Sequence, residues 1–145
     1  MKVDSILQAK GRTVEAIGPD ADLRLVVHKL ASRGIGSLVV SADGRHPDGV
    51  IAERDVVRGL NRHGQRFLEQ RARDIMTRNP PTCTAEQSLQ DVMEIMTSTR
   101  HRHLPVMDAQ GCLAGIISIG DVVKYRLGEM ELEREVLRDA YVVHR

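Results

Sequence analysis

The chain says the same thing twice. Leu23, Val26, Val27 and Leu30 return as Leu89, Val92, Met93 and Met96, and Gly49-Val50-Ile51-Ala52-Glu53-Arg54-Asp55 returns as Gly115-Ile116-Ile117-Ser118-Ile119-Gly120-Asp121, each 66 positions later. A unit of that size is too long for a solenoid repeat and too short for an independent domain. The two copies are therefore expected to pack face to face about a pseudo-twofold axis, with function in the cleft between them. At 145 residues, 41% of them apolar, one such pair accounts for the whole chain and leaves no room for a second autonomous unit.

Hydrophobic spacing fills in each copy. Residues 20–33 place apolar side chains at i, i+3, i+4 and i+7 after Pro19-Asp20, which predicts an amphipathic helix with Asp20 as its capping acid and Gly34 as its left-handed close. Ser37-Leu38-Val39-Val40 and Gly49-Val50-Ile51-Ala52 predict a hairpin turning at Ala42-Asp43-Gly44. Glu53-Arg54-Asp55 opens a second helix, with Val56, Val57 and Leu60 on its buried side and His63-Gly64 at its end. The second copy predicts a helix near 86–99, a strand from Leu104 to Met107, a turn over 108–111, a strand from Cys112 to Ser118 and a helix over about 119–127. Measuring from Val40 to Gly49 and from Met107 to Gly115 implies one inserted residue in the first hairpin loop, at Arg45-His46-Pro47-Asp48. Ile6-Leu7 and Ile75-Met76 read as matched lead-in turns. After Gly128, the broken stripe Met130, Leu132, Val136, Leu137 and Tyr141 fits either a helix lying on its own domain or an arm for a second copy.

Composition removes several classes of function. The 21 basic and 20 acidic side chains nearly cancel, so no overall field draws the chain to nucleic acid or to an anionic membrane. Phe67, Tyr125 and Tyr141 are the only aromatic residues, too few for the stacking platforms of single-strand binders. No apolar run reaches signal-peptide or membrane-span length, and a cytoplasmic location is expected. Cys83 and Cys112 are expected to be reduced thiols.

The repeated motif carries chemistry of its own. A strand that runs directly into a helix aims unpaired backbone amides at one point, and a hydroxyl there adds a donor suited to phosphate. An aspartate one turn in can accept two hydrogen bonds from a ribose diol. Ser118 and Asp121 meet both requirements, whereas the first copy keeps Asp55 but has Ala52 in place of the serine. Arg54, standing where the second copy has Gly120, either binds phosphate or pairs with Glu53 or Glu15. Arg100-His101-Arg102-His103 precedes a strand with up to four positive charges, while Gly34-Ile35-Gly36-Ser37 at the equivalent place has none. That cluster fits a phosphate, or a helix end favoured by the dipole.

The order strand, helix, strand, strand, helix given twice, with Gly-h-h-[Ser/Thr]-x-x-Asp at the start of each last helix, resembles a tandem pair of CBS domains over nearly all of residues 3–127. The resemblance implies an α/β (α+β) fold of two pseudo-twofold-related β-α-β-β-α repeats packed through their sheets. Repeat 1 would cover 3–63, a linker 64–73, repeat 2 74–127, and a C-terminal helix or tail 128–145. It implies a non-catalytic regulatory module for an adenosine ligand: AMP, ADP, ATP, NAD(H) or S-adenosylmethionine, with the basic cluster favouring one that bears phosphate. In repeat 2, Ser118 would hold the phosphate side and Asp121 the ribose. Arg102, His103 and Pro105 would contact the ligand, and Thr82 and Thr84 would line the base and ribose pocket, Thr84 serving alternatively as a helix cap. Ile35, Gly36, Arg54 and Asp55 would form the repeat 1 site, which lacks the hydroxyl. Such pairs also imply a homodimer, for which Val56, Val57, Leu60, Val122 and Val123 supply the apolar stripes, unless the core uses them, and an effector protein that receives the signal.

Other readings compete. His101, His103, Cys83 and Cys112 are candidate zinc ligands, although neither Cys-x-x-Cys nor His-Glu-x-x-His occurs. A hydrolase would need an activated nucleophile, and the chain has no Gly-x-Ser-x-Gly and no Walker loop. The basic residues between Arg58 and Arg73 read as a solvated linker rather than a polyanion patch. A ligand-free structural or interaction module is the remaining alternative.

Overall fold

Equivalent side chains cap equivalent helices. Asp22 accepts the Leu25 amide at 2.9 Å and Ser88 accepts the Asp91 amide at 3.1 Å. In this computed structural model, which describes residues 1–143, the order opens with α1 (Val3–Lys10), β1 (Ala16–Ile17) and α2 (Leu23–Arg33). The cap of α2 is thus Asp22, not Asp20. Asp20 lies outside the first turn and its carboxylate pairs with Arg73 instead. Next come β2 (Ser37–Val40), β3 (Gly49–Ala52), α3 (Glu53–His63), a 3-10 turn over Gly64–Glu69, α4 (Ala72–Ile75) and β4 (Thr77–Arg78). The second half holds β5 (Cys83–Thr84), α5 (Leu89–Thr99), β6 (His103–Met107), β7 (Leu113–Ser118) and α6 (Ile119–Val143). Gly34 and Arg100 close α2 and α5 in the same left-handed conformation, at φ of 60° and 58°. Glycine adopts it freely, whereas arginine must be held there.

Among the described residues one sheet runs β1-β2-β3-β4 and the other β5-β6-β7. Their registers superpose: Ser37 faces Ala52 as His103 faces Ser118, and Val40 faces Gly49 as Val106 faces Gly115. Val40 therefore corresponds to Val106 rather than Met107, and the expected insertion in the first hairpin is absent. Counting from Met107 instead of Val106 is what makes the first loop look one residue longer; separately, the second hairpin shifts register between Val106 and Met107.

The lead-in segments are helices, not turns, and they cross. Val3, Ile6 and Leu7 of α1 are buried with Leu89, Val92, Leu104, Val106 and Ile117 of the second repeat. Phe67 and Ala72 are buried with Leu23, Val26, Leu38 and Ile51 of the first. Each lead-in thus completes the core of the repeat it does not introduce. The close approach explains the glycine that opens each motif. A Cβ on Gly49 would stand 2.6 Å from the Thr77 carbonyl oxygen, and one on Gly115 2.7 Å from Leu7 Cδ2.

Two helical expectations change. On α3 the inward residues are Asp55 and Gly59, while Val57 and Leu60 face outward, 67% and 53% exposed. Gly59 lies so close to Phe67 and Ile75 that the helix rests on its glycine side, which turns the apolar stripe outward; only Val56 stays partly packed. α6 runs unbroken through Gly128, because one mid-helix glycine costs about 1 kcal/mol against Ala and the flanking Leu, Glu, Met and Arg favour helix. Leu132, Val136 and Leu137 are exposed, so this segment does not lie on its own domain. Residues 144 and 145 of the expected tail lie outside the described residues. No described helix is long and apolar enough to cross a membrane.

Candidate functional site

Each motif sits where a strand becomes a helix. β3 enters α3 and β7 enters α6, and in both the aspartate turns back on the helix start. Asp55 Oδ2 accepts the Ala52 amide at 2.8 Å, and Asp121 Oδ2 accepts the Ser118 amide at 2.9 Å. Ser118 Oγ reciprocates by accepting the Asp121 amide at 3.1 Å, a bond Ala52 has no atom to make.

The remaining partners of the two carboxylates differ. Asp55 Oδ1 accepts the Thr77 hydroxyl at 3.0 Å. Asp121 Oδ2 accepts the Lys10 ammonium at 2.7 Å, and Lys10 also donates to the Ile116 carbonyl at 3.1 Å. Partial burial pushes the Asp121 carboxyl up. The Lys10 hydrogen bond and the Ser118 amide outweigh that and hold it below its ordinary value. Lys10 and Thr77 both come from the lead-in segments, and no spacing pattern in the chain pairs 10 with 121 or 77 with 55.

Two clefts open beside the motifs. The larger, about 770 Å³, is lined by Arg54, Asp55 and Thr77 on one side and by Arg100, His101, Arg102 and His103 on the other. The smaller, about 340 Å³, is lined by Lys10, Thr13, Ile35, Ser37 and Ile116 among others. They are pseudo-symmetric counterparts, since 34–37 stands in one where 100–103 stands in the other. Gly36, His103 and Ser118 line both. The His103 ring forms part of that shared wall: a Cβ on Gly36 would be 3.0 Å from its Nε2. Burial lowers the His103 pKa, Lys10 and Arg102 add to the effect, and Glu53 and Asp121 oppose it. The Arg54 guanidinium donates to the Arg100 carbonyl at 2.6 Å, bridging the repeats. The expected pairing with Glu53 or Glu15 is not formed, and Glu15 faces Arg33 at 3.9 Å.

The structure thus brings Gly36, Arg54, Asp55, Arg102, His103 and Ser118 to one cleft, and Ile35 to its neighbour. The basic cluster shares its cleft with Arg54 and Asp55 of the first motif and with Ser118 and Gly120 of the second. Asp121 is engaged with Lys10 rather than open to either lining. Pro105 is buried in β6, and Thr82 and Thr84 are exposed. Thr84 is not the cap of α5, which is Ser88; the Thr84 amide donates to the Gln87 side chain at 2.9 Å. The four candidate zinc ligands do not assemble. Cys83 is buried in the second core, where desolvation pushes its thiol up to about 12, and Cys112 lies beside His46. Among the described residues no three His, Cys, Asp or Glu side chains gather as a metal site.

The model of the CBS domain matches residues 11–62 and 72–128. The CBS-domain containing protein ATU1752 from Agrobacterium tumefaciens superposes with a TM-score of 0.81 and 42% identity, over 86% of this chain and 98% of that one. The CBS domain protein PAE2072 from Pyrobaculum aerophilum, complexed with AMP, superposes with a TM-score of 0.72 and 25% identity, over 83% of this chain and 89% of that one. Protein MK0525 of Methanopyrus kandleri is 29% identical over 86% of this chain, which spans 63% of that relative's length.

Proposed function

This chain belongs to the CBS-domain family as a tandem pair, and from that premise we propose that it is a regulatory module whose larger cleft binds a phosphate-bearing adenosine ligand: AMP, ADP, ATP or NAD(H). The observation that carries this reading is the meeting, in one cleft, of the Asp55 carboxylate and Thr77 hydroxyl with Arg54, Arg100 and Arg102. A buried carboxylate suits a ribose diol, and guanidinium groups at a helix start suit phosphate. The cleft volume of about 770 Å³ is in the range of small-molecule sites. The AMP complex of the Pyrobaculum relative supports an adenine nucleotide as the ligand class.

In this reading the ribose hydroxyls bond Asp55, and the phosphate takes Arg102 together with the amides that open α3. Arg54 gives up the Arg100 carbonyl for the phosphate, so occupancy alters a bond between the repeats. That is how binding becomes a signal. The smaller cleft is the weaker site, because Lys10 already satisfies Asp121. CBS domains are regulatory rather than catalytic modules, and the output would pass, in the cytoplasm, to an effector protein through a homodimer.

Titration calorimetry with AMP, ADP, ATP, NAD, NADH and S-adenosylmethionine tests the proposal. Phosphate-bearing ligands should bind more tightly than S-adenosylmethionine. Asp55→Asn and Arg102→Ala should each weaken binding by about 1.5–3 kcal/mol, roughly ten- to hundredfold, the worth of a hydrogen bond to a charged group. Binding that ignores both substitutions, or no heat with any of the six, would overturn it.

A further inference from the structure

Away from both clefts, the two hairpin loops line up a nucleophile, a base and an orienting acid. Asp43 Oδ2 lies 2.6 Å from His46 Nδ1, and His46 Nε2 lies 3.7 Å from Cys112 Sγ. The Asp43 carboxyl is held well below its usual range, first by the His46 ring and then by the His46 and Arg45 amides, so it stays ionised at neutral pH. A carboxylate at Nδ1 keeps the ring proton there and leaves the Nε2 lone pair facing the thiol.

Backbone bonds set this geometry on both sides. Asp43 Oδ1 accepts the Arg45 and His46 amides, each at 2.8 Å, and the Ser41 hydroxyl donates to the His46 carbonyl at 2.7 Å. Opposite, Asp108 Oδ1 accepts the Gln110 amide at 2.9 Å and the Cys112 amide at 2.8 Å, shaping the turn that presents the cysteine. The Leu113 amide donates to the Arg45 carbonyl at 2.7 Å and ties the two loops together. His46 and Cys112 occupy equivalent positions of the two repeats, 66 residues apart, so their contact straddles the pseudo-twofold axis. Cys112 is half-buried and His46 exposed, which leaves the sulfur within reach of a small reagent.

We propose that Cys112 is a reactive thiol, served by His46 as base and by Asp43 as the residue that positions His46, and that it accepts S-thiolation from low-molecular-weight disulfides. The thiol proton passes to His46 Nε2. The thiolate attacks one sulfur of the disulfide, the Cys112–sulfur bond forms as the sulfur–sulfur bond breaks, and the departing thiolate takes the proton back from Nε2. The products are a mixed disulfide on Cys112, one free small thiol and a neutral imidazole. The adduct stands at the seam between the repeats, beside the bond from Leu113 to Arg45.

The test uses the full chain with glutathione disulfide, read by intact mass, and a chromogenic aromatic disulfide, read as rate against pH. One adduct per chain is expected, mapping to Cys112, lost in Cys112→Ser and kept in Cys83→Ser. At neutral pH the rate should exceed that of an unstructured cysteine peptide by about tenfold, because a positioned base takes the thiol proton as the sulfur attacks. His46→Gln should return both the rate and the pH profile to those of the peptide, and Asp43→Asn should fall between. The proposal is overturned if Cys112 of the unaltered protein reacts no faster than the peptide, a result no misfolded variant can imitate, or if His46→Gln leaves the pH profile unchanged.

Discussion

Asp55 and Asp121 hold equivalent positions and end in different states, because the partner each one meets arrives from a distant part of the chain. Thr77 leaves Asp55 able to take a neutral ligand donor, whereas Lys10 gives Asp121 an internal cation. His103 shows the same dependence on surroundings. It stands out in the sequence as a phosphate contact, and that position in the cleft wall follows from its place at the entry of β6. Its burial against Gly36 does not. Because the fold favours the neutral ring over the charged one, His103 contributes stability that is fully present above its ordinary pKa of 6.5 and lost as pH falls below that toward the lowered folded value. The thermal midpoint should therefore drop as the pH falls below 6.5, and His103→Gln should flatten that slope. The Asp121 carboxyl, lowered from 3.8, contributes stability that is lost only in more acidic solution, so melting curves against pH separate the two groups. A slope that survives in His103→Gln would remove His103 as its source.

Crossing is the main event at the scale of elements. α1 and α4 each close the core of the opposite repeat, and a motif glycine lies under α1 in one repeat and under β4, which follows α4, in the other. Gly49→Ala brings its new methyl against the Thr77 carbonyl, backbone that cannot turn aside, while the methyl of Gly115→Ala meets the flexible end of Leu7. Overpacking of this kind costs about 1–3 kcal/mol, and Gly49→Ala should lie toward the upper end with Gly115→Ala below it. Urea denaturation measures both, and a Gly49→Ala protein as stable as the parent would contradict the close approach. The motif glycines are visible in the sequence. Their reason is not, because it lies in residues 7 and 77, which nothing in the local pattern connects to 115 and 49. The mistaken insertion has a plainer origin: it pairs Val40 with Met107, whereas the 66-residue offset and the strand registers both pair it with Val106.

For the whole molecule, the exposed apolar faces of α3 and α6 bear on assembly. Val57 and Leu60 on α3, with Val123 and Leu127 on α6, are at least half exposed. Burial of apolar surface is worth about 25 cal/mol per Å², so two copies meeting through these faces would be held largely by them. In the homodimer proposed above, Leu60→Glu should shift sedimentation equilibrium toward monomer while leaving the fold intact, since Leu60 packs in neither core. An unchanged mass would exclude this face as the interface. The duplication, the hairpins and the CBS family were legible in the chain, because periodicity, turn chemistry and motif spacing are local properties; the helix caps were not, since Asp22 and Ser88 take the roles that Asp20 and Thr84 were expected to play. Only the tertiary structure decided that the basic cluster shares a cleft with Asp55, that Lys10 reaches Asp121, that Arg54 bridges to Arg100 and that His46 meets Cys112. Those pairings join residues 46 to 111 positions apart, and they exist because two repeats pack about a pseudo-twofold axis with crossed lead-in helices, a geometry that no local pattern encodes.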